Sequence, residues 1–243
     1  MRVLALDTTT RLGSVALIDG AGIVEERPGD SSRTHAERLP AELLSLCERH
    51  GLRVSAIDLF AVAAGPGSFT GLRIGLATIQ GLAIVTRRQI VGVSALEALA
   101  QIASRDVAAG SLVAAWIDAQ RREVFSALYR VTAAEIFHPG RLIEIEPAAV
   151  DGPASTLARW HLSTALGANG ATITFVGDGA VVYKDLCAHG DRMRCLAAPL
   201  LAGAVGRMAA ARARLGEAVE PACIRPLYVR RPDAELGREK KGG

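Results

Sequence analysis

Cysteine is scarce in this chain, and the four present, Cys47, Cys187, Cys195 and Cys223, form no C-x-x-C pair. That spacing argues against a metal knuckle and suits buried or inert thiols in a reducing cytoplasm. The histidines, His35, His50, His138, His161 and His189, contain no H-x-x-x-H or H-E-x-x-H pair, so the spacing supplies no metal site. Long hydrophobic runs are missing too. The longest, Leu72 to Val85, is broken by Arg73, Thr78 and Gln80 and falls short of the ~20 residues of a membrane helix. Asp7 stands where the apolar stretch of a secretory signal would lie, which predicts that the chain is not exported. The net charge of +3 is too mild to demand a nucleic-acid partner.

What the chain does contain is apolar material for a substantial core: 50% of its 243 residues are hydrophobic and 22% charged. Val3–Asp7 and Ser14–Asp19 read as strands, and the turn Asp19–Gly22 leads into a third, Ile23–Arg27. A helix follows to about His50. Its start is open between a capping box at Thr34 and Glu37 and a first turn at Pro40. Next come a strand over Leu59–Ala63, a glycine loop over Gly65–Thr70, a small-residue helix from about Gly71 to Thr86, a strand at Ile90–Val93, and a helix capped by Ser94 and Glu97. The second half repeats this order with strands at Leu112–Asp118, Glu123–Val131 and near Arg141–Ile145. A helix over Ser155–Leu166, a strand over Thr172–Val176 and the loop Gly177-Asp178-Gly179 with a further helix complete it. Two βββαβα halves in series are the layout of an α/β, actin-like pair (the ASKHA, ribonuclease H-like class). A single Rossmann unit would lack the opening meander. The expected divisions are a first half over 1–106, a second over 107–232, and a flexible polar tail over 233–243. The helix at Pro199–Leu215 is expected to cross back onto the first half.

Several motifs admit two readings. The loop from Gly65 through Gly67 and Ser68 to Gly71 could hold an anion on amides left unpaired at a helix start, or it is simply a tight turn. It is no P-loop, because Gly71 is followed by Leu72 and Arg73, and no nucleophile elbow, because Pro66 stands where glycine is needed. Asp7, Thr8 and Thr9 could meet a nucleotide phosphate in the hairpin turn, or stabilise that turn themselves. Gly177, Asp178 and Gly179 carry the same double reading. His35 could serve as a base, although a capping or solvated histidine is the simpler reading. Gly71 and Gly75, one turn apart, open a groove for close helix approach, either to a partner or within the domain. Arg207, Arg212 and Arg214 read as a solvated helix face.

Four segments then give the chain a family likeness: Leu4–Thr8, His35-Ala36-Glu37-Arg38-Leu39, Gly65–Gly75 with its eleven-residue glycine-rich run, and Pro226-Leu227-Tyr228-Val229-Arg230. In this order and spanning nearly the whole chain, they resemble the TsaB (YeaZ) family. That family's catalytic paralogue, TsaD, carries an H-x-x-x-H metal motif where this chain has Ala95 and Leu99, which cannot ligate a metal. The resemblance implies a non-catalytic cytoplasmic subunit, pairing with TsaD and the ATPase TsaE. The assembly would transfer a threonylcarbamoyl group to the adenosine beside the anticodon of tRNA, contacted through the complex. It implies no tightly bound cofactor, with ATP or ADP possible at the complex interface, and a homodimer possible in isolation. The expected partner surface is His35, Leu39, Glu42, Leu43, Leu46, Gly71, Gly75 and Thr78. A glycoprotease-like peptidase and a stand-alone actin-like ATPase are the alternatives.

Overall fold

Alternation along β1 (Arg2–Asp7) decides how the first half is built. Leu4 and Leu6 point to one face and Val3 and Ala5 to the other, and all four are fully buried. A strand buried on both faces belongs at the centre of a sheet, and β1 lies there. It pairs antiparallel with β2 (Ser14–Asp19) and parallel with β4 (Leu59–Gly65). With β3 (Gly22–Pro28) and β5 (Ile90–Ser94) the sheet order is β3-β2-β1-β4-β5. In this computed structural model, which describes residues 1–160, 172–187 and 193–230, the second half repeats the arrangement. There β6 (Leu112–Asp118) pairs antiparallel with β7 (Val124–Val131) and parallel with β9 (Ile173–Val176). With β8 (Leu142–Asp151) and β10 (Met193–Leu196) the order β8-β7-β6-β9-β10 matches the first sheet strand for strand. Val3–Asp7 and Leu112–Asp118 therefore hold equivalent central positions, as an actin-like duplication requires.

The two sheets face each other across a shared helical layer. The Val3/Ala5 face of β1 and the Val113/Ala115 face of β6 join one core with α3 (Ala95–Ala103) and α7 (Ala202–Arg214). The outer face of the first sheet packs Leu4, Leu6, Phe60 and Val62 against α1 (His35–Arg49) and α2 (Phe69–Thr86). The outer face of the second packs Trp116 and Phe175 against the region of α4 (Pro153–Trp160) and α5 (Asp178–Val182). After α5 comes the short α6 (Lys184–Cys187).

Several element boundaries differ from the sequence reading. α1 starts at the capping box: the Glu37 carboxylate accepts from the amide and hydroxyl of Thr34 at 2.7 Å, and Pro40 is accommodated inside the helix. α2 starts two residues early, and β8 runs on to Asp151. Strand β10 went unread because four residues of half-exposed alternation carry little signal. The expected helix Ser155–Leu166 begins at Pro153 and lies partly outside the described residues, as does the tail. α7 does cross back: Gly206 meets Ile18 so closely that a Cβ would sit 2.1 Å from its Cδ1. Its arginines are not a plain solvated face. Arg212 donates to Glu97 at 2.6 Å and to the Gly92 carbonyl, and the Arg207 guanidinium lies 4.5 Å over the Phe137 ring.

Candidate functional site

Each half ends its fourth strand in a glycine held at φ +121°, Gly65 after β4 and Gly177 after β9. In both, the chain slides beneath the turn that follows the central strand, where no side chain fits. A Cβ on Gly67 would lie 2.6 Å from Thr9, and one on Gly179 would lie 3.0 Å from the Asp118 amide. The duplicated loops thus bring two turns face to face across a cleft of about 1170 Å³. Thr9, Thr10, Gly67 and Ser68 line one wall, and Asp118, Gln120 and Asp178 the other.

Several polar groups of these loops are engaged within the protein. Ser68 N donates to the Thr9 carbonyl at 2.8 Å, and the Ser68 hydroxyl accepts from Gly71 N, capping α2. The amide and hydroxyl of Thr9 both donate to Asp7 Oδ1. On the other wall, Asp118 N and Gly179 N donate to Asp178 Oδ1 at 3.0 and 2.8 Å. Burial pushes the Asp7 and Asp178 carboxyls above the ordinary carboxylate value, and the charge of Asp178 adds to the effect at Asp7. Part of the polar capacity of both loops is thus spent within the protein, while Phe69 and Thr70, the first two residues of α2, line the cleft. Thr8 corrects the sequence reading most sharply. It is fully buried, its hydroxyl turned toward Gly75 of α2 rather than the cleft.

His35 joins α1 to the turn after β1. Its Nε2 lies 3.0 Å from the Thr10 carbonyl and its Nδ1 2.8 Å from the Arg38 guanidinium. The arrangement is that of a neutral ring, Nε2–H donating and Nδ1 accepting, and burial lowers its pKa accordingly. Both ring nitrogens are thus engaged within the fold, the linking role rather than the free base that the sequence left open. The sequence reading passed over Arg38, which is 1% exposed and holds the Leu12 carbonyl and Glu42 at 2.6 Å each. Its i,i+4 spacing to Glu42 was the available signal.

The expected partner surface is redistributed. Leu39, Leu43, Leu46, Gly71 and Gly75 are buried inside the first half, where the glycines admit the turn after β1: a Cβ would meet the Thr8 carbonyl at 2.3 Å from Gly71 and the Thr8 hydroxyl at 2.3 Å from Gly75. Glu42 is tied to Arg38, and the Thr78 hydroxyl donates to the Ile74 carbonyl. The exposed face of α2 lies opposite: Ala77 and Gly81, then Ile84 at 61% and Val85 at 84% exposure. α2 is the one helix among the described residues long and apolar enough to cross a membrane by length and composition. Its inner face, however, packs against β1 and β4.

Ala95 and Leu99 sit in the core between the halves, where Leu99 Cδ1 approaches the space above Gly177. The positions compared with TsaD's histidines are thus filled with hydrocarbon. The family model for the tRNA N6-adenosine threonylcarbamoyltransferase TsaD matches residues 17–238. YeaZ of Pseudomonas aeruginosa superimposes with a TM-score of 0.73 at 31% identity, over 93% of this chain and 99% of that one. This chain belongs to the TsaB (YeaZ) family. The tRNA threonylcarbamoyladenosine biosynthesis protein TsaB of Escherichia coli K12 is 38% identical over 138 residues, 57% of this chain and 59% of the relative. The corresponding protein of Haemophilus influenzae is 38% identical over 125 residues, 51% and 52% of the two. The match thus spans little more than half the length of these curated relatives.

Proposed function

We propose that this chain is a non-catalytic subunit in the synthesis of threonylcarbamoyladenosine on tRNA, and that it pairs with TsaD through the outward face of α1 and α2. The observation that carries the pairing is α2 itself. Its inner stripe is spent on Thr8, β1 and β4, while Ala77, Gly81, Ile84 and Val85 leave a second apolar stripe exposed. Two chains that share one family model present related patches, which can pair pseudo-symmetrically. The same patch would join two copies of this chain when TsaD is absent. The hydrocarbon at Ala95 and Leu99 supports a supporting rather than a chemical role. TsaE enters as the ATPase of the assembly.

Reconstituted transfer of the threonylcarbamoyl group to tRNA tests this reading. This chain alone should transfer nothing, and TsaD with TsaE should gain activity when it is added. Transfer or sustained ATP hydrolysis by the chain alone, or no effect of leaving it out, would contradict the proposal.

A further inference from the structure

The mouth of the cleft differs from its floor. Phe69, at the first position of α2, and Tyr228, near the end of the described chain, meet with ring centroids 5.4 Å apart. Both remain about two-fifths exposed. Arg73 extends the stack: its guanidinium lies 3.9 Å over Phe69, and its Nε donates to the Tyr228 hydroxyl at 3.0 Å. The segment carrying Tyr228 is fixed in place, Leu227 N donating to the Ala64 carbonyl at 2.7 Å and Arg230 to the Ala119 carbonyl at 2.9 Å. Arg11 and Arg33 also line the cleft and are held by the carbonyls of Ser31 and Glu37, with no carboxylate within ion-pair distance among the described residues. Arg11, Arg33 and Arg73 line the cleft together with Asp118 and Asp178, while the charge of Arg230 is met by Glu123.

We propose that the cleft mouth binds a short stretch of single-stranded RNA, a base extending the Arg73–Phe69–Tyr228 stack and the phosphates lying along Arg11 and Arg33. Aromatic rings take a base of any sequence, and guanidinium groups on backbone carbonyls stay charged toward solvent. The cleft is open along its length, with room for more than one nucleotide in its volume of about 1170 Å³. The wall carrying Asp118 and Asp178 repels phosphate and keeps the strand toward the arginines. The proposal deepens the tRNA role assigned above, yet it concerns the chain alone and does not require TsaD.

Fluorescence anisotropy of the full chain with a labelled single-stranded RNA nonamer tests it. Saturable binding is expected, weakening steeply as salt rises from about 50 to about 200 mM. Tyr228→Ala and the pair Arg11→Glu/Arg33→Glu should each weaken it roughly tenfold. Tyr228→Phe, which keeps the ring, should bind like the parent, as should Arg53→Glu on a distant exposed turn. Thermal melts confirm folding, and if Tyr228→Ala melts early, Tyr228→Leu, which keeps apolar bulk without a ring, replaces it. Absent saturable binding, unchanged affinity in the cleft variants, or an equal loss in Arg53→Glu would overturn the proposal. So would Tyr228→Ala that keeps RNA but loses TsaD or TsaE, since the patch would then be a protein face. Val85→Asp, made on the α2 face, should leave RNA binding intact even where pairing fails, so the two readings fail separately.

Discussion

Thr8 shows how one hydroxyl separates turn from ligand site. It is buried with no hydrogen-bond partner among the described residues, against the α2 backbone at Gly75. A hydroxyl left unmade in an interior typically costs about 1–3 kcal/mol, so Thr8→Val, which keeps the shape, should stabilise the protein by about 1 kcal/mol. That corresponds to a rise of a few degrees in the melting midpoint. A lower midpoint would mean the hydroxyl has a partner. Gly75→Ala should act oppositely, losing about 1–3 kcal/mol because its Cβ would lie 2.3 Å from that hydroxyl. Asp7 makes a pH-dependent case. Burial raises its pKa, so the folded state holds its proton more tightly than the unfolded chain. Its ionisation therefore withdraws stability as pH climbs above the ordinary value of 3.8. Asp7→Asn, which keeps an acceptor for Thr9, should raise the midpoint at neutral pH and lose that advantage below about pH 4. An advantage that grew on acidification would contradict the assignment. The turn at Asp7–Thr10 was legible in the sequence. The side each hydroxyl faces was not, because the helix that packs on Thr8 arrives more than sixty residues later.

At the scale of elements, α2 carries the argument. The spacing of Gly71 and Gly75 correctly marked a place of close approach, but the approaching backbone is the turn after β1. Periodicity could not choose, because this helix is apolar on both faces and has no polar stripe to mark its outside. Ile84 and Val85 close the longest apolar run in the sequence, Leu72 to Val85. Their exposure follows from the second-layer position of α2, which has no further layer above it among the described residues. Val85→Asp should therefore change stability by less than about 0.5 kcal/mol while weakening association at least tenfold. Size-exclusion profiles and a parallel melt would check both. A large loss of stability would place Val85 in the fold rather than at an interface.

For the whole molecule, the duplicated order at an offset of about 110 residues was the most legible feature, and the two sheets confirm it strand for strand. The halves diverge where function would. The first glycine loop opens an eighteen-residue helix, the second only a five-residue one, so the first half alone offers a long exposed helical face among the described residues. Sequence order could not reveal that the segment at Tyr228 returns to the cleft and meets Phe69, since that contact spans about two-thirds of the chain. Pairing through the first half remains the central claim, and it implies a stable interface of at least ~1,000 Å². Light scattering on size-exclusion mixtures of this chain with TsaD from the same organism tests it most directly. The account predicts a heterodimer for the parent chain and separate proteins for Val85→Asp. Failure of the parent to associate, or a Val85→Asp complex of undiminished affinity, would contradict it.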